Sequence, residues 1–102
     1  MATRKLPDEL LGEASKLFKT LGDLKRLSVV YLLKEQEYNV TELSGLIGME
    51  QSAMSHQLKL LKDARLIEGR REGKAIYYHL KDHHVVEIIE QVLEHASEEQ
   101  HE

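Results

Sequence analysis

The stretch of sequence that decides the fold is VTELSGLIGMEQSAMSHQLKLLKDA, residues 40–64. Within it, apolar residues recur at helical spacing over 40–47 and again over 51–64, and Gly48 lies between the two segments. The positions predicted to face inward are Leu43, Leu46 and Ile47 in the first segment and Met54, Leu58 and Leu61 in the second. A short helix, a turn that contains glycine and a second helix are typical of the helix-turn-helix motif. The sequence therefore predicts that motif here.

Two further helices are predicted on the N-terminal side of this motif. The first begins near Pro7 and ends at Gly22, and its apolar residues are Leu10, Leu11, Ala14, Leu17, Phe18 and Leu21. Asp23 is a residue type that caps helices, so a second helix is predicted to begin directly after it. The apolar positions of this second helix are Leu24, Leu27, Val30, Tyr31 and Leu33.

Two short segments of alternating pattern, 66–69 and 74–80, follow the motif and are predicted to pair as a β-hairpin. Residues 70–73, Arg-Arg-Glu-Gly, are predicted to form the loop that joins them. A last helix is predicted over 83–97, with a broad apolar stripe of Val85, Ile88, Ile89, Val92, Leu93 and Ala96. The predicted fold class is therefore mostly α with a β-hairpin wing, as one winged helix-turn-helix domain over residues 1–102.

The composition limits both the location and the chemistry of the chain. It has 102 residues, of which 41% are hydrophobic and 31% charged, as expected of a globular domain. It contains no cysteine, which excludes disulfides, thiolate chemistry and cysteine-ligated metal sites. The longest uncharged apolar stretch, residues 27–33, is too short to cross a bilayer, and the N-terminus lacks the apolar core of a signal peptide. We therefore expect a cytoplasmic protein that has no membrane partner.

Charge is unevenly distributed along the chain. The formal net charge is −4, but residues 82–102 carry seven Asp and Glu and no Lys or Arg. The first 81 residues therefore hold all 14 bases against 11 acids, a net charge of +3. Within them, a basic cluster over 59–74 contains Lys59, Lys62, Arg65, Arg70, Arg71 and Lys74. This cluster favours a polyanion as partner, although a solvated charged face would have the same composition.

The polar face of the second motif helix has the residue types that DNA recognition requires. The predicted DNA-binding residues are Gln51, Ser52, Ser55, His56, Lys59 and Lys62 on the helix and Arg70, Arg71 and Lys74 on the hairpin. Hydroxyl and amide groups read base edges in the major groove, and lysines and arginines contact phosphates. Taken singly, the lysines could be solvated residues and the serines helix caps. Together with the predicted motif they indicate a double-stranded DNA partner, and no catalytic set accompanies them, so an enzyme is not expected.

Three segments in the right order give the chain a resemblance to a known family. FKTLGDLKRL (residues 18–27), EQSAMSHQLK (50–59) and RREGK (70–74) resemble the opening, the recognition helix and the wing of the ArsR/SmtB winged-helix metalloregulators. The resemblance covers residues 10–98 and looks closest to the zinc-responsive repressors. Residues 37–43, EYNVTEL, lack the cysteines that thiol-sensing members carry there. The resemblance therefore excludes arsenic, lead or persulfide sensing through that position.

Four residues near the C-terminus are the predicted metal ligands: Asp82, His84, His95 and Glu98. His84 and His95 lie on one helical stripe but about 16 Å apart, so one helix cannot bring all four residues to one ion. Two antiparallel copies could do so, with Asp82 and His84 from one chain and the other two ligands from its partner. By spacing alone, these residues could instead be ordinary solvated ones. The resemblance implies that they are ligands, because zinc- and cobalt-sensing members use Asp-x-His and His-x-x-Glu pairs on the last helix.

The resemblance implies a homodimeric, metal-responsive transcriptional repressor. Its dimer interface is predicted to include Leu10, Leu17 and Leu21 of the first helix and Val85, Ile89 and Val92 of the last. The apo dimer is expected to bind an inverted-repeat operator, and Zn²⁺ is expected to release it and derepress a metal efflux or sequestration gene. A ligand set of nitrogen and oxygen atoms favours zinc and tolerates Co²⁺. Two alternatives stay open: a nickel or cobalt sensor that uses the same helix, and a metal-independent winged-helix regulator.

Overall fold

The computed structural model describes residues 7–100, excluding the side chains of residues 99 and 100. This part contains five helices and one antiparallel hairpin, and none of its helices is long and apolar enough to span a membrane. In chain order the elements are α1 (Asp8–Leu21), α2 (Leu24–Glu35), α3 (Val40–Ile47), α4 (Gln51–Asp63), β1 (Ile67–Glu72), β2 (Ala75–Leu80) and α5 (His83–Gln100). This order confirms the predicted winged helix-turn-helix. Residues 1–6, 101 and 102 of the predicted domain lie outside the described part.

Capping residues set the bounds of α2 and α3. Asp23 Oδ2 accepts a hydrogen bond from the Arg26 backbone N–H at 3.1 Å, which confirms the predicted cap of α2. At α3, Asn39 and Glu42 form a capping box in which each side chain accepts the other residue's backbone N–H at 2.9 Å. Gly48 makes the turn after α3, and its φ of 78° lies in the left-handed region that glycine adopts without steric cost.

The core lies where α2, α3, α4, α5 and the hairpin meet. Its buried apolar side chains are Val29, Val30, Leu33, Leu43, Met54, Leu58, Leu61, Leu66, Ile67, Leu80, Val85 and Ile89. Met54, Leu58 and Leu61 are at most 1% exposed, which confirms the predicted inward face of α4. Burying a large apolar side chain stabilises the folded state by about 1.5–3 kcal/mol, so these three residues fix the rotation of α4 about its own axis.

Three of the apolar positions predicted in α2 and α3 are exposed rather than buried in this core. Leu24 and Tyr31 of α2 and Leu46 of α3 are exposed. The buried face of α2 centres instead on Val29 and Val30. Because α2 is apolar on several sides, it has no single amphipathic stripe from which periodicity could select the inward face. The eight residues of α3 are likewise too few for their pattern to distinguish Leu46 from its buried neighbours.

The hairpin has longer strands and a shorter turn than the sequence predicts. The sequence predicts a loop over 70–73, but in the structure Arg70 and Arg71 belong to β1 and pair with β2. The turn is reduced to Gly73 and Lys74, and Gly73 adopts a φ of 63°. A positive φ at this position matches the twist of the turn to the twist of the strands. Polar residues continue β1 because a two-stranded ribbon leaves these positions exposed to water.

The connection between α2 and α3 is attached to the hairpin through its main chain. Tyr38 N–H donates to the Tyr78 carbonyl at 3.3 Å, and Tyr78 N–H donates back to the Tyr38 carbonyl at 2.8 Å. This isolated antiparallel bridge places residue 38 beside β2. The wing is therefore joined to the helical part of the molecule by backbone hydrogen bonds as well as by core side chains.

The apolar stripe of α5 is only partly buried within the protomer. Val85 and Ile89 are buried in the core of the protomer, which corrects their predicted placement in a dimer interface. Ile88 and Val92 of the same stripe remain 43% and 47% exposed. The stripe predicted as one broad surface is therefore divided between the core of the chain and solvent.

Gly48→Ala should destabilise the protein by about 1–2 kcal/mol, because a Cβ is strained in the left-handed region even where the surrounding space is open. Gly45→Ala is the matched control. Gly45 lies within α3 and also has open space at its Cβ position. Its substitution by alanine should raise the free energy of unfolding by up to about 1 kcal/mol. Urea denaturation measures both free energies of unfolding. Equal effects of the two substitutions would contradict the left-handed turn.

Candidate functional site

α4 presents a polar face to solvent on the side opposite the core. All six residues predicted on this face are exposed: Gln51, Ser52, Ser55, His56, Lys59 and Lys62. The buried stripe of Met54, Leu58 and Leu61 fixes this orientation, since successive helical residues are rotated by about 100°. The side chain of Glu50, which precedes the helix, makes no capping hydrogen bond, so it leaves the first N–H groups of α4 available. Exposure of the face is confirmed, and its contact with DNA stays a prediction.

One arginine ties α4 to the two helices that precede the motif. Arg26 of α2 donates through Nε to the Thr20 carbonyl at 2.7 Å and through Nη1 to Gln57 Oε1 at 3.1 Å. Thr20 lies near the end of α1 and Gln57 in the middle of α4, so one guanidinium links three helices. Hydrogen bonds with a charged donor are stronger than neutral ones. Sequence reasoning missed this link because its partner on α4 is 31 residues away.

The two wing arginines lie on opposite faces of the hairpin. Side chains alternate along a strand, so Glu68 and Arg70 share one face of β1 and Arg71 lies on the other. Lys74 occupies the turn. Arg71 and Lys74 are exposed, and neither forms an ion pair with any residue in the described part of the chain. The strand register therefore separates the predicted DNA contacts of the wing into two groups.

Arg70 is engaged by acidic and aromatic groups of its own chain. Its Nη2 and Nε donate to Glu37 Oε1 at 2.8 and 3.1 Å, and its Nη1 lies 3.5 Å from Glu72 Oε1. The guanidinium carbon lies 5.5 Å from the centroid of the Tyr77 ring, within cation–π range. The hydrogen bond from Arg70 lowers the pKa of Glu37 below its usual value, and the same bond raises the pKa of Arg70.

The face of the hairpin that carries Arg70 continues as a row of acidic and basic groups. His79 Nδ1 lies 3.3 Å from Glu37 Oε2, and His79 Nε2 lies 3.4 Å from Glu68 Oε1. Lys81 donates to Glu68 Oε2 at 2.6 Å, and this hydrogen bond lowers the pKa of Glu68. Sequence reasoning missed this network, and Glu37 above all, because no local pattern connects residues that are 33 positions apart.

The structure brings two of the four predicted metal ligands together. Asp82 Oδ1 lies 3.5 Å from His84 Nδ1 at the start of α5. His95 and Glu98 lie further along the same helix, and all four residues are exposed. Among the described residues of one protomer, no group of three or more His, Cys, Asp or Glu side chains is arranged to hold a metal. The four-ligand site therefore stays a prediction that depends on a second copy of the chain.

Asp82 also has a structural role that the sequence argument did not assign to it. Its Oδ1 accepts a hydrogen bond from the Val85 N–H at 3.3 Å, so Asp82 is the N-cap of α5. A carboxylate offers about four lone-pair sites on two oxygens, so capping leaves capacity for a second partner. A carboxylate beside the imidazole of His84 is also the type of donor pair that zinc binds. The residues present therefore fit such an ion.

A groove runs beside this pair, between α1, the end of α4 and the start of α5. Its volume is about 1000 Å³, and Asp82 and His84 lie on its wall. Lys16 and Leu17 of α1 and Ile88 of α5 also line it. The predicted ligand pair therefore faces a cleft that is large enough to receive part of another polypeptide.

Comparison with known proteins finds relatives among bacterial transcription regulators. A family model described as bacterial regulatory protein, arsR family, matches residues 23–68, which include the whole helix-turn-helix. The chain is 36% identical over 86 residues to a transcriptional repressor SmtB homolog from Synechocystis, and this match covers 84% of the chain and 65% of that protein. It is 35% identical over 91 residues to the HTH-type transcriptional regulator NmtR from Mycobacterium tuberculosis, with 89% and 76% covered.

A solved structure has the same architecture over nearly the whole chain. It is the solution NMR structure of a homodimeric winged helix-turn-helix DNA-binding domain from Mycobacterium bovis, described as a possible ArsR-family transcriptional regulator. The TM-score is 0.86 at 30% identity, and the alignment covers 96% of this chain and 92% of that domain. The chain is therefore similar to these regulators in both sequence and fold.

Substitutions of Asp82 separate its capping role from its charge. Asp82→Ala should lower the free energy of unfolding of the metal-free protein by about 1 kcal/mol, because the Val85 N–H loses its acceptor. Asp82→Asn keeps an acceptor of nearly equal capping strength and should leave stability unchanged within about 0.3 kcal/mol. Urea denaturation in the presence of a chelator measures both. Equal destabilisation by the two substitutions would argue against the cap.

Proposed function

The chain belongs to the ArsR family of bacterial regulatory proteins, and from this membership we propose that it is a dimeric transcriptional repressor that responds to a metal ion. As a member of this family it is a transcription regulator and not an enzyme. The observation that carries the proposal is the exposed polar and basic face of α4, which the buried stripe on the other side of the helix holds outward. This face offers groups that read base edges and lysines that contact phosphates.

In the proposed complex, each α4 of the dimer lies in a major groove of an inverted repeat. The DNA-facing residues proposed for α4 are Gln51, Ser52, Ser55, His56, Lys59 and Lys62. Arg71 and Lys74 extend from the hairpin toward the flanking minor groove or backbone. The net charge of −4 does not oppose this arrangement, because seven of the acids are concentrated in residues 82–102. Arg70, also predicted as a DNA contact, is paired with Glu37 in the protein alone.

A second copy of the chain covers the apolar residues that α1 and α5 leave exposed. These residues are Leu10, Leu11 and Phe18 of α1 and Ile88 and Val92 of α5. α1 and α5 are neighbours, since residues of both line the same groove, and exposed apolar surface on adjacent elements is typical of protein interfaces. The homodimeric state of the related Mycobacterium bovis domain supports the proposal.

The proposed metal site lies between the two copies of α5. Asp82 and His84 of one protomer bind together with the partner's His95 and the partner's Glu98, and two-fold symmetry makes a second, equivalent site. Nitrogen and oxygen ligands of this kind favour Zn²⁺ and accept Co²⁺. When bound, the ion supplies a bridge between the two helices. Residues of both copies are then held together, and the two α4 helices lose the spacing that the operator requires, so an efflux or sequestration gene is derepressed.

This coupling has a thermodynamic consequence. If the metal weakens operator binding by a given factor, operator DNA must weaken metal binding by the same factor. Histidine binds metal only as a neutral imidazole, so protons compete with the metal and acidification should weaken metal binding.

A metal-independent regulator is the second candidate. It is favoured by the N-cap at α5, because the hydrogen bond from the Val85 N–H explains Asp82 without any ion. A nickel or cobalt sensor would use the same helix with more ligands, and His83 is available beside the proposed pair.

Arg71→Ala tests the DNA-binding half of the proposal. It should weaken binding to a mixed-sequence duplex and reduce the slope of log Kobs against log[salt] by about 0.9 for each lost phosphate contact. Lys16→Ala is the control, because Lys16 lies on α1 at the groove rather than on α4 or the hairpin. Fluorescence anisotropy over a range of salt concentrations measures both slopes. Equal slopes for wild type and Arg71→Ala would exclude Arg71 as a phosphate contact.

Co²⁺ titration of the metal-free protein tests the metal half. Intense tetrahedral absorption bands should saturate at one ion per protomer and disappear when zinc is added. They should be lost in His95→Ala and retained in His83→Ala, which removes an exposed histidine outside the proposed ligand set. Weak six-coordinate bands would favour the nickel or cobalt sensor. An absence of bands would reject the metal site and leave the metal-independent regulator.

A further inference from the structure

The guanidinium of Arg70 has its donors directed at carboxylates of its own chain. Nε and Nη2 donate to Glu37 Oε1, and Nη1 faces Glu72 Oε1 at 3.5 Å. The planar fork of an arginine binds carboxylates and phosphates with the same donors and the same geometry. Arg70 therefore cannot bind a phosphate through these donors while Glu37 holds them.

Glu37 is itself held in position. Its neighbour Tyr38 is tied to Tyr78 by two backbone hydrogen bonds, so the loop lies against β2. A second basic group, His79 Nδ1, lies 3.3 Å from Glu37 Oε2. The carboxylate is thus positioned between two side chains of the hairpin rather than at the end of a free loop.

Other cations of the proposed DNA surface are paired less closely. Lys59 contacts Asp63 one helical turn away, at 3.1 Å, and the two side chains are 72% and 63% exposed. Exposed pairs of this kind contribute little and break readily. Within the described residues, Arg71 and Lys74 have no ion-pair partner at all. By contrast, the Glu37 and Arg70 side chains are 36% and 45% exposed, and they meet through three hydrogen bonds.

We propose that Glu37 limits the affinity of this protein for DNA by occupying Arg70, so that this wing arginine makes no phosphate contact in the wild-type protein. Removal of the Glu37 carboxylate frees Nε and Nη2 of Arg70 on each protomer to bind a backbone phosphate. This inference rests on the proposed DNA-binding function. Glu37 lies outside both the recognition helix and the wing. By this inference it controls the affinity of the protein for DNA of any sequence.

Glu37→Gln tests the inference through the salt dependence of binding to a mixed-sequence duplex of about 30 base pairs. The variant should bind more tightly than wild type, and its slope of log Kobs against log[salt] should be steeper by about 0.9 per protomer. The ratio of its DNA affinity to that of the wild type should therefore fall about threefold per protomer when the salt concentration rises from about 50 to 200 mM. The double substitution Glu37→Gln with Arg70→Ala removes the pair as a unit and should restore the wild-type affinity and slope.

Glu35→Gln is the matched control, since it removes one nearby charge whose partner is Lys34 rather than Arg70. Thermal unfolding of each variant verifies that it is folded. Unchanged or weaker binding by Glu37→Gln would overturn the inference. So would a double variant that binds as tightly as Glu37→Gln, or more weakly than wild type, because Arg70 would then not be a contact that Glu37 withholds. Wild-type protein that shows no salt-dependent binding to the duplex would instead reject the proposed function itself.

Discussion

Burial of one side of α4 is the constraint on which the rest of the molecule depends. Met54, Leu58 and Leu61 are almost completely removed from water, and truncation of such a side chain to alanine costs about 2–5 kcal/mol. α4 cannot rotate about its axis without exposing this stripe, so its polar residues face outward together. Arg26 holds the same helix at Gln57 and links it to α1. The surface that reads DNA in the proposed function is therefore positioned by residues that never touch DNA.

Much of the fold could be predicted because its signals are local. Asp23 and Gly48 act on backbone within a few residues of themselves, and the predicted helix over 40–47 has the observed bounds. Predictions were wrong where a local pattern fits two arrangements. α2 is apolar on several sides, so its sequence does not identify the side that packs. Arg70 is polar, and polarity is compatible with both a loop and an exposed strand.

In the candidate site, too, local sequence predicts some features and not others. Exposure of the α4 residues follows from one helical stripe, and it was predicted correctly. The ion pair between Glu37 and Arg70 joins residues 33 positions apart, and only the packing of the loop on β2 brings them together. The metal site is harder still to predict, because its ligands do not meet within one protomer. Asp82 and His84 lie together at the start of α5, whereas His95 lies well along the helix. Sequence spacing predicts that a second chain is required, but it cannot position that chain.

The register of the hairpin has a consequence for how the wing tolerates change. Two adjacent arginines in an alternating strand place one positive charge on each face of the ribbon. A one-residue slip in the pairing of β1 would carry every side chain to the opposite face. Such a slip would take Ile67, which is 1% exposed, out of the core, and it would place a Cβ at the position of Gly69, 2.7 Å from Ile76 Cγ2. Ile67 and Gly69 therefore fix the register of β1, and this register keeps Arg70 beside Glu37 and Arg71 on the opposite face.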